Sequence, residues 1–220
     1  MTQAILQLPE VDPVQIMALP NWPPTAWCLV SPLVLQQTWR SSPESGLLSS
    51  QVWLGATKDR FVVLAEMEDS DIGTAALRHN DPLWKLGDVF EVFVRHIERP
   101  DYFEFHTAPN GVTLDLHYPM LYASRAGGVA QYMMTEPCFT ATVGCEPKLN
   151  RWRAVIEIPV GGLVPREYLS TPSVWQFSFC RYDCGPGRPA VVASNSPHAV
   201  ADFHRAEDWP LFTAPAFAVC

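Results

Sequence analysis

Apolar and polar positions along this chain alternate with a period of two over many short runs, the pattern of half-buried strands. In Val89–Val94 the alternation sets Phe90, Val92 and Val94 on one face and Val89, Glu91, Phe93 and Arg95 on the other. Residues 101 to 108 place Phe103, Phe105 and Thr107 opposite Tyr102, Glu104 and His106. An Asn110-Gly111 turn then returns the chain, with Val112, Leu114, Leu116 and Tyr118 on one face and Thr113, Asp115 and His117 on the other. Further hairpins are expected around Thr57–Asp59 and between 138–145 and 150–159, with a long strand over 174–183. The segment 31–39 reads as strand-like and 165–169 as one short helical turn. Residues 119–136 and the C-terminal part read as loops. On this pattern Glu91, Arg95, Glu104, His106, Asp115 and His117 share one common sheet face.

The expected architecture is all-β, an antiparallel β-sandwich of jelly-roll type in a single domain. Pro9, Pro13, Pro20, Pro23 and Pro24 exclude continuous helix, so residues 1–25 read as an extended arm on a sandwich formed by 26–220, with Trp22, Trp27 and Trp39 as anchors. A chain of 220 residues buries a core without disulfides or metal. Its six cysteines lack C-x-x-C spacing, and most of them read as buried thiols.

Charge removes one class of partner. With 15 Lys plus Arg against 23 Asp plus Glu, a net charge of -8, the chain lacks the basic stripe of a nucleic-acid groove. No apolar run of membrane-spanning length occurs. The N-terminus has neither a basic nor an apolar leader region, which predicts a cytoplasmic protein. The acidic stretch Glu66, Glu68, Asp69, Asp71 offers Asp69 and Asp71 as ligands for a structural calcium ion.

Eight Trp, 11 Phe and 6 Tyr supply many rings, and loop 79–88 offers one of them, Trp84, at the start of a strand. Sugars are held by aromatic faces and by planar polar side chains that fork hydroxyls. The order Asn80-Asp81-x-x-Trp84-x-x-Gly87-Asp88-x-x-Glu91-x-Phe93, then YFEFHTAPNG, RWRAVIEIP and FHRAEDWPLFTAP, resembles the family 9 carbohydrate-binding modules and their DOMON-like relatives over roughly residues 20–217. The resemblance implies a non-catalytic carbohydrate-binding protein of polysaccharide catabolism, associated with a glycosidase and carrying structural calcium. It implies a clamp of two rings around a mono- or oligosaccharide, whose nearest counterparts are Trp84 and Phe203, with Glu91, Arg95, Glu104 and Asn195 as polar partners. A cross-strand ion-pair ladder is the other reading of Arg95, Glu104 and Arg153. Two further functions stay open. Glu91, Glu104, Asp115 and Glu157 could include the carboxylate pair of a glycoside hydrolase, and His106, His117 and Met120 could ligate haem, as in DOMON-like cytochrome domains.

Overall fold

The computed structural model describes residues 5–11, 23, 27 and 30–218. In chain order the strands are β1 (Ile5–Gln7), β2 (Leu33–Val34), β3 (Ser50–Ala56), β4 (Arg60–Glu68), β5 (Val89–His96), β6 (Tyr102–Thr107), β7 (Thr113–Tyr118), β8 (Thr140–Glu146), β9 (Arg151–Pro159), β10 (Ser173–Asp183), β11 (Val191–Ser194) and β12 (Leu211–Ala214). Two sheets form. One runs β1-β12-β10-β5-β6-β7 with β11 also paired to β10, and the other runs β2-β3-β4-β9-β8. All pairings are antiparallel except that of β1 with β12. The all-β sandwich is as the alternation predicted.

Its core is made by the inward positions of both sheets: Phe90, Val92 and Val94, Phe103 and Phe105, and Trp175, Phe177 and Phe179 face Phe61, Val63, Ala65, Trp152, Ala154, Ile156 and Ile158. Phe61 is its centre. Its ring meets Trp175, Phe177 and Phe217 at 4.9, 4.9 and 5.2 Å, each near-perpendicular, the edge-to-face geometry that aromatic quadrupoles favour.

The outer faces differ. On the second sheet Glu66 opposes Arg153 and Val62 opposes Glu157, and Arg153 Nε lies 2.6 Å from Glu66, so Arg153 belongs to a cross-strand ladder. The first sheet is covered on its outer face too: Val89, Phe93, Tyr102, Leu114, Leu116, Tyr118, Phe203 and Trp209 form a second apolar cluster beneath loops.

Several expectations are corrected. Asp115 and His117 do not share a face with Glu104 and His106. The register pairs Glu104 with Leu116 and His106 with Leu114, and cross-strand partners point the same way, so Asp115 and His117 lie on the side of Phe105 and Phe103. Glu157 lies in the other sheet. The C-terminal part holds β11 and β12, whose short runs lack a clear period. Of segment 31–39 only Leu33–Val34 is a strand. The described part of the N-terminal arm spans both sheets, β1 beside β12 and Glu10 bridged to Ala56 of β3. Trp27 is buried against Trp53 and Val11, and Trp39 packs on the second cluster, whereas Trp22 lies outside the described residues.

Loop 79–88 is held by its own polar residues. Asn80, in the left-handed region at φ 68°, donates from Nδ2 to Met134 O and accepts the Asp115 N–H on Oδ1. Asp81 Oδ2 accepts from the amides of Leu77 and Arg78. Asp88 receives the Gly73 and Cys184 amides, one on each carboxylate oxygen, both at 2.7 Å. At Gly87, φ +150°, a Cβ would stand 2.3 Å from Gly73 O and 2.5 Å from Thr74 Cα. These atoms are all backbone of residues 73–74 and cannot swing aside as a side chain would, so Gly87→Ala is expected to cost about 1–3 kcal/mol, read as a lowered midpoint in denaturant titration.

Candidate functional site

Between the second cluster and the loops above it lies a pocket of roughly 430 Å³, within the range of small-molecule sites. Rings of Trp84, Phe93, Tyr118, Tyr182 and Phe203 wall it. Glu91 and Glu104 supply carboxylates and His106 and His204 imidazoles, and Arg125 and Asp202, about 44% and 43% exposed, form a 3.7 Å ion pair there.

Each wall has a local cause. Trp84 sits in a 3-10 turn, Leu83–Lys85, that the loop bonds just described fix, with its ring edge-on to His106 at 5.7 Å. Phe203 is held from behind: Trp209 Nε1 donates to Phe203 O at 2.8 Å, and Gln176 Nε2 donates to the carbonyls of Ala206 and Trp209. The Phe203 ring is only 5% exposed and packs on Trp39 and Tyr182 at 5.9 and 5.8 Å. Tyr182 continues the outward alternation of β10 and is half-buried.

Strand register places the charges. Glu91 lies opposite His106, and Phe93 opposite Glu104. His106 Nδ1 lies 3.1 Å from Glu91 Oε1 and its Nε2 3.3 Å from Glu104 Oε2, while His204 Nδ1 lies 2.9 Å from Glu104 Oε1. Burial pushes the His106 pKa down, but Glu91 and Glu104 outweigh it and the net direction is up. An imidazole with a carboxylate at each nitrogen is best satisfied as a cation, since only then do both nitrogens carry protons. Burial pushes Glu104 up, yet His204 and His106 hold it down at about 2. Glu91 goes the other way, raised by burial that His106 only partly offsets.

The remaining expected residues lie elsewhere. Arg95 points outward but donates from Nη2 to the carbonyls of Ile97 and Arg99, both at 2.9 Å, locking the turn after β5 rather than lining the pocket. Asn195 Oδ1 accepts the Phe179 amide at 2.7 Å and serves the edge of β10. His117 stacks on Phe103 at 4.4 Å and bonds Asp101, and Met120 is 56% exposed, so His106, His117 and Met120 do not converge on one haem. Tyr182, His204, Arg125 and Asp202 were missed. Tyr182 alone carried a signal, as the next outward position after Cys180. The other three sit in loops with no period to read.

Asp69 and Asp71 do come together, with Asp183 as a third carboxylate, their oxygens within 4.8 Å of one another. Two arginines already reach into the group. Arg181, 2% exposed, lies 3.1 Å from Asp69 and 3.3 Å from Asp183, and Arg188 pairs with Asp71 and Asp183. Calcium takes six to eight oxygens. Three carboxylates spanned by two guanidiniums fit internal cations better than such an ion. The cleft beside them, about 490 Å³, has no aromatic residue in its wall.

No family model and no curated protein matches the sequence. Solved structures do match by fold. A crystal structure of a candidate carbohydrate-binding protein from Bacteroides uniformis superposes with a TM-score of 0.66 at 14% identity, over 97% of this chain and 100% of that one. A family 9 carbohydrate-binding module from Caldicellulosiruptor kristjanssonii, bound to cellotriose, gives 0.65 at 12% identity, over 98% and 95%. The same organism's module bound to glucose gives 0.66 at 10% identity, over 99% and 98%. The chain has the fold of the family 9 carbohydrate-binding modules.

Two measurements probe these charges. Arg181→Met is expected to cost about 3–5 kcal/mol by leaving buried carboxylates unpaired, and calcium is expected to raise the melting temperature of that variant more than that of the native chain. At Glu104 the folded pKa lies below the unfolded value of about 4.3, so its contribution is full above about pH 5 and fades as pH falls toward about 2. Unfolding free energies of Glu104→Gln and the native protein from urea titration are expected to differ by about 1–3 kcal/mol at neutral pH and to converge in acid.

Proposed function

We propose that the chain binds a mono- or oligosaccharide in the ring-walled pocket without turning it over. One observation carries this reading: rings from three separate segments, Trp84, Tyr182 and Phe203, meet over two buried carboxylates on the outer face of a sheet. A sugar offers C–H surface to such rings and hydroxyls to Glu91, Arg125 and Asp202. The two Caldicellulosiruptor modules of the same fold hold cellotriose and glucose, which supports the ligand class. A role in polysaccharide catabolism beside a partner glycosidase follows as part of the proposal.

A hydrolytic reading has one feature in its favour, since Glu91 and Glu104 are driven in opposite directions, as an acid and a base would be. Against it, the His106 ring lies between the two carboxylates, in the space where a hydrolase holds its scissile bond and water.

Titration calorimetry with glucose and cello-oligosaccharides tests the proposal. Measurable heat is expected, together with at least about tenfold weaker binding in Trp84→Ala and no new reducing ends after long incubation. Absence of heat from every sugar, or undiminished affinity in Trp84→Ala, would overturn it.

A further inference from the structure

The two carboxylates of the pocket floor are served unequally by its two imidazole rings. Glu104 has two imidazoles against it, His106 and His204. Glu91 has one, and shares that ring with Glu104. An imidazolium carries a single positive charge. Among the described residues no donor forms a directed hydrogen bond to either oxygen of Glu91, because the Nδ1 of His106 is close but off-line. The Glu91 side chain is 4% exposed and lines the cavity. Buried carboxylates are ordinarily hydrogen-bonded, so this one is short of a partner.

Among the described residues no other basic side chain of the pocket wall pairs directly with Glu91: His204 is engaged with Glu104. Arg125 stands at the half-exposed mouth and is matched there by Asp202. The surrounding rings, Trp84, Phe93, Tyr118, Tyr182 and Phe203, present π-faces that attract cations and repel anions. The chain's net charge of -8 adds a long-range field of the same sign. A neutral hydroxyl would give Glu91 a hydrogen bond. An ammonium group would give it a hydrogen bond and a counter-charge, and would be drawn by the ring faces as well.

Resting on the saccharide reading above, we propose that this pocket selects an amino sugar, whose ammonium group sits against Glu91 within the aromatic wall. The ring of the sugar then packs on Trp84, and its hydroxyls reach Arg125 and Asp202 at the mouth. The upward push of burial on the Glu91 carboxyl agrees with this, since a bound cation would relieve it.

Glucose, glucosamine and N-acetylglucosamine share one ring stereochemistry and differ in the group at one carbon, so calorimetric titration of the native chain separates charge from shape. At about pH 6, where an amine of ordinary basicity is protonated, glucosamine is expected to bind about tenfold more tightly than glucose. N-acetylglucosamine, whose nitrogen is uncharged, is expected to lose that advantage. In Glu91→Gln, with folding checked by near-ultraviolet circular dichroism, the two affinities should draw level. Equal binding of glucose and glucosamine by the native chain, or a preference that persists in a folded Glu91→Gln, would overturn the amino-sugar inference and leave the saccharide reading standing. Binding of none of the three sugars, with cello-oligosaccharides silent as well, would overturn both. The comparison of sugars on the native chain decides the matter even if the variant does not fold.

Discussion

His106 stands between two carboxylates that the pleat of the sheet forces under cover. Because side chains alternate strictly, Glu91 and Glu104 share the outer layer of the first sheet with Phe93, Tyr102 and Tyr118, and loops bury that layer. Ionised groups in such a place require close counter-charges and dipoles. The need draws separate parts of the chain together. His106 comes from the neighbouring strand, and His204 from the C-terminal segment. Gln176 on β10 fixes that segment through two carbonyls, and Trp209 fixes Phe203 through a third. The pocket is thus a by-product of how counter-charge is brought to a polar pair in an apolar layer.

The loop before β5 shows how little of a motif touches the space it creates. Asn80, Asp81, Gly87 and Asp88 all act on backbone: the first holds a left-handed turn to β7 and to Met134, the second closes the turn at Leu77 and Arg78, and the last two seat the loop against residues 73–74 and 184. Trp84, Glu91 and Phe93 are the members of the motif whose side chains reach the pocket. Rigid support around a few free groups is what a preorganised binding site requires.

At the far end of β10 the same physics gives a different result. Arg181 projects inward, where it meets Asp69, Asp183 and the Ser50 hydroxyl. A guanidinium fixed in this way ties the end of β4 to β10, across the two sheets, as a bound metal would, but with the cation covalently part of the chain. This is also why the acidic stretch Glu66–Asp71 divides: Glu66 serves the outer ladder with Arg153, and Asp69 turns inward to Arg181.

The amino-acid sequence alone determined the longer strands, β3 to β10, and the faces within them, Glu91 and Glu104 included, because strand alternation is a local property of the pleated backbone, whereas Trp84 and Phe203, outside the strands, were singled out by the family resemblance. What lay beyond it was the relation between strands. Residues 108–112 between β6 and β7 bring even-numbered positions opposite even-numbered ones, so Asp115 and His117 face away from Glu104 and His106, against the expected common face. Arg95 and Asn195 have the composition of ligand contacts, but the nearest unpaired carbonyl and amide claim them. The pairing of Asp69 with Arg181 spans 112 positions, and that of Glu104 with His204 spans a comparable stretch of chain. Such partners are chosen by packing and by the demand of buried charge for counter-charge, and neither is written in any local period.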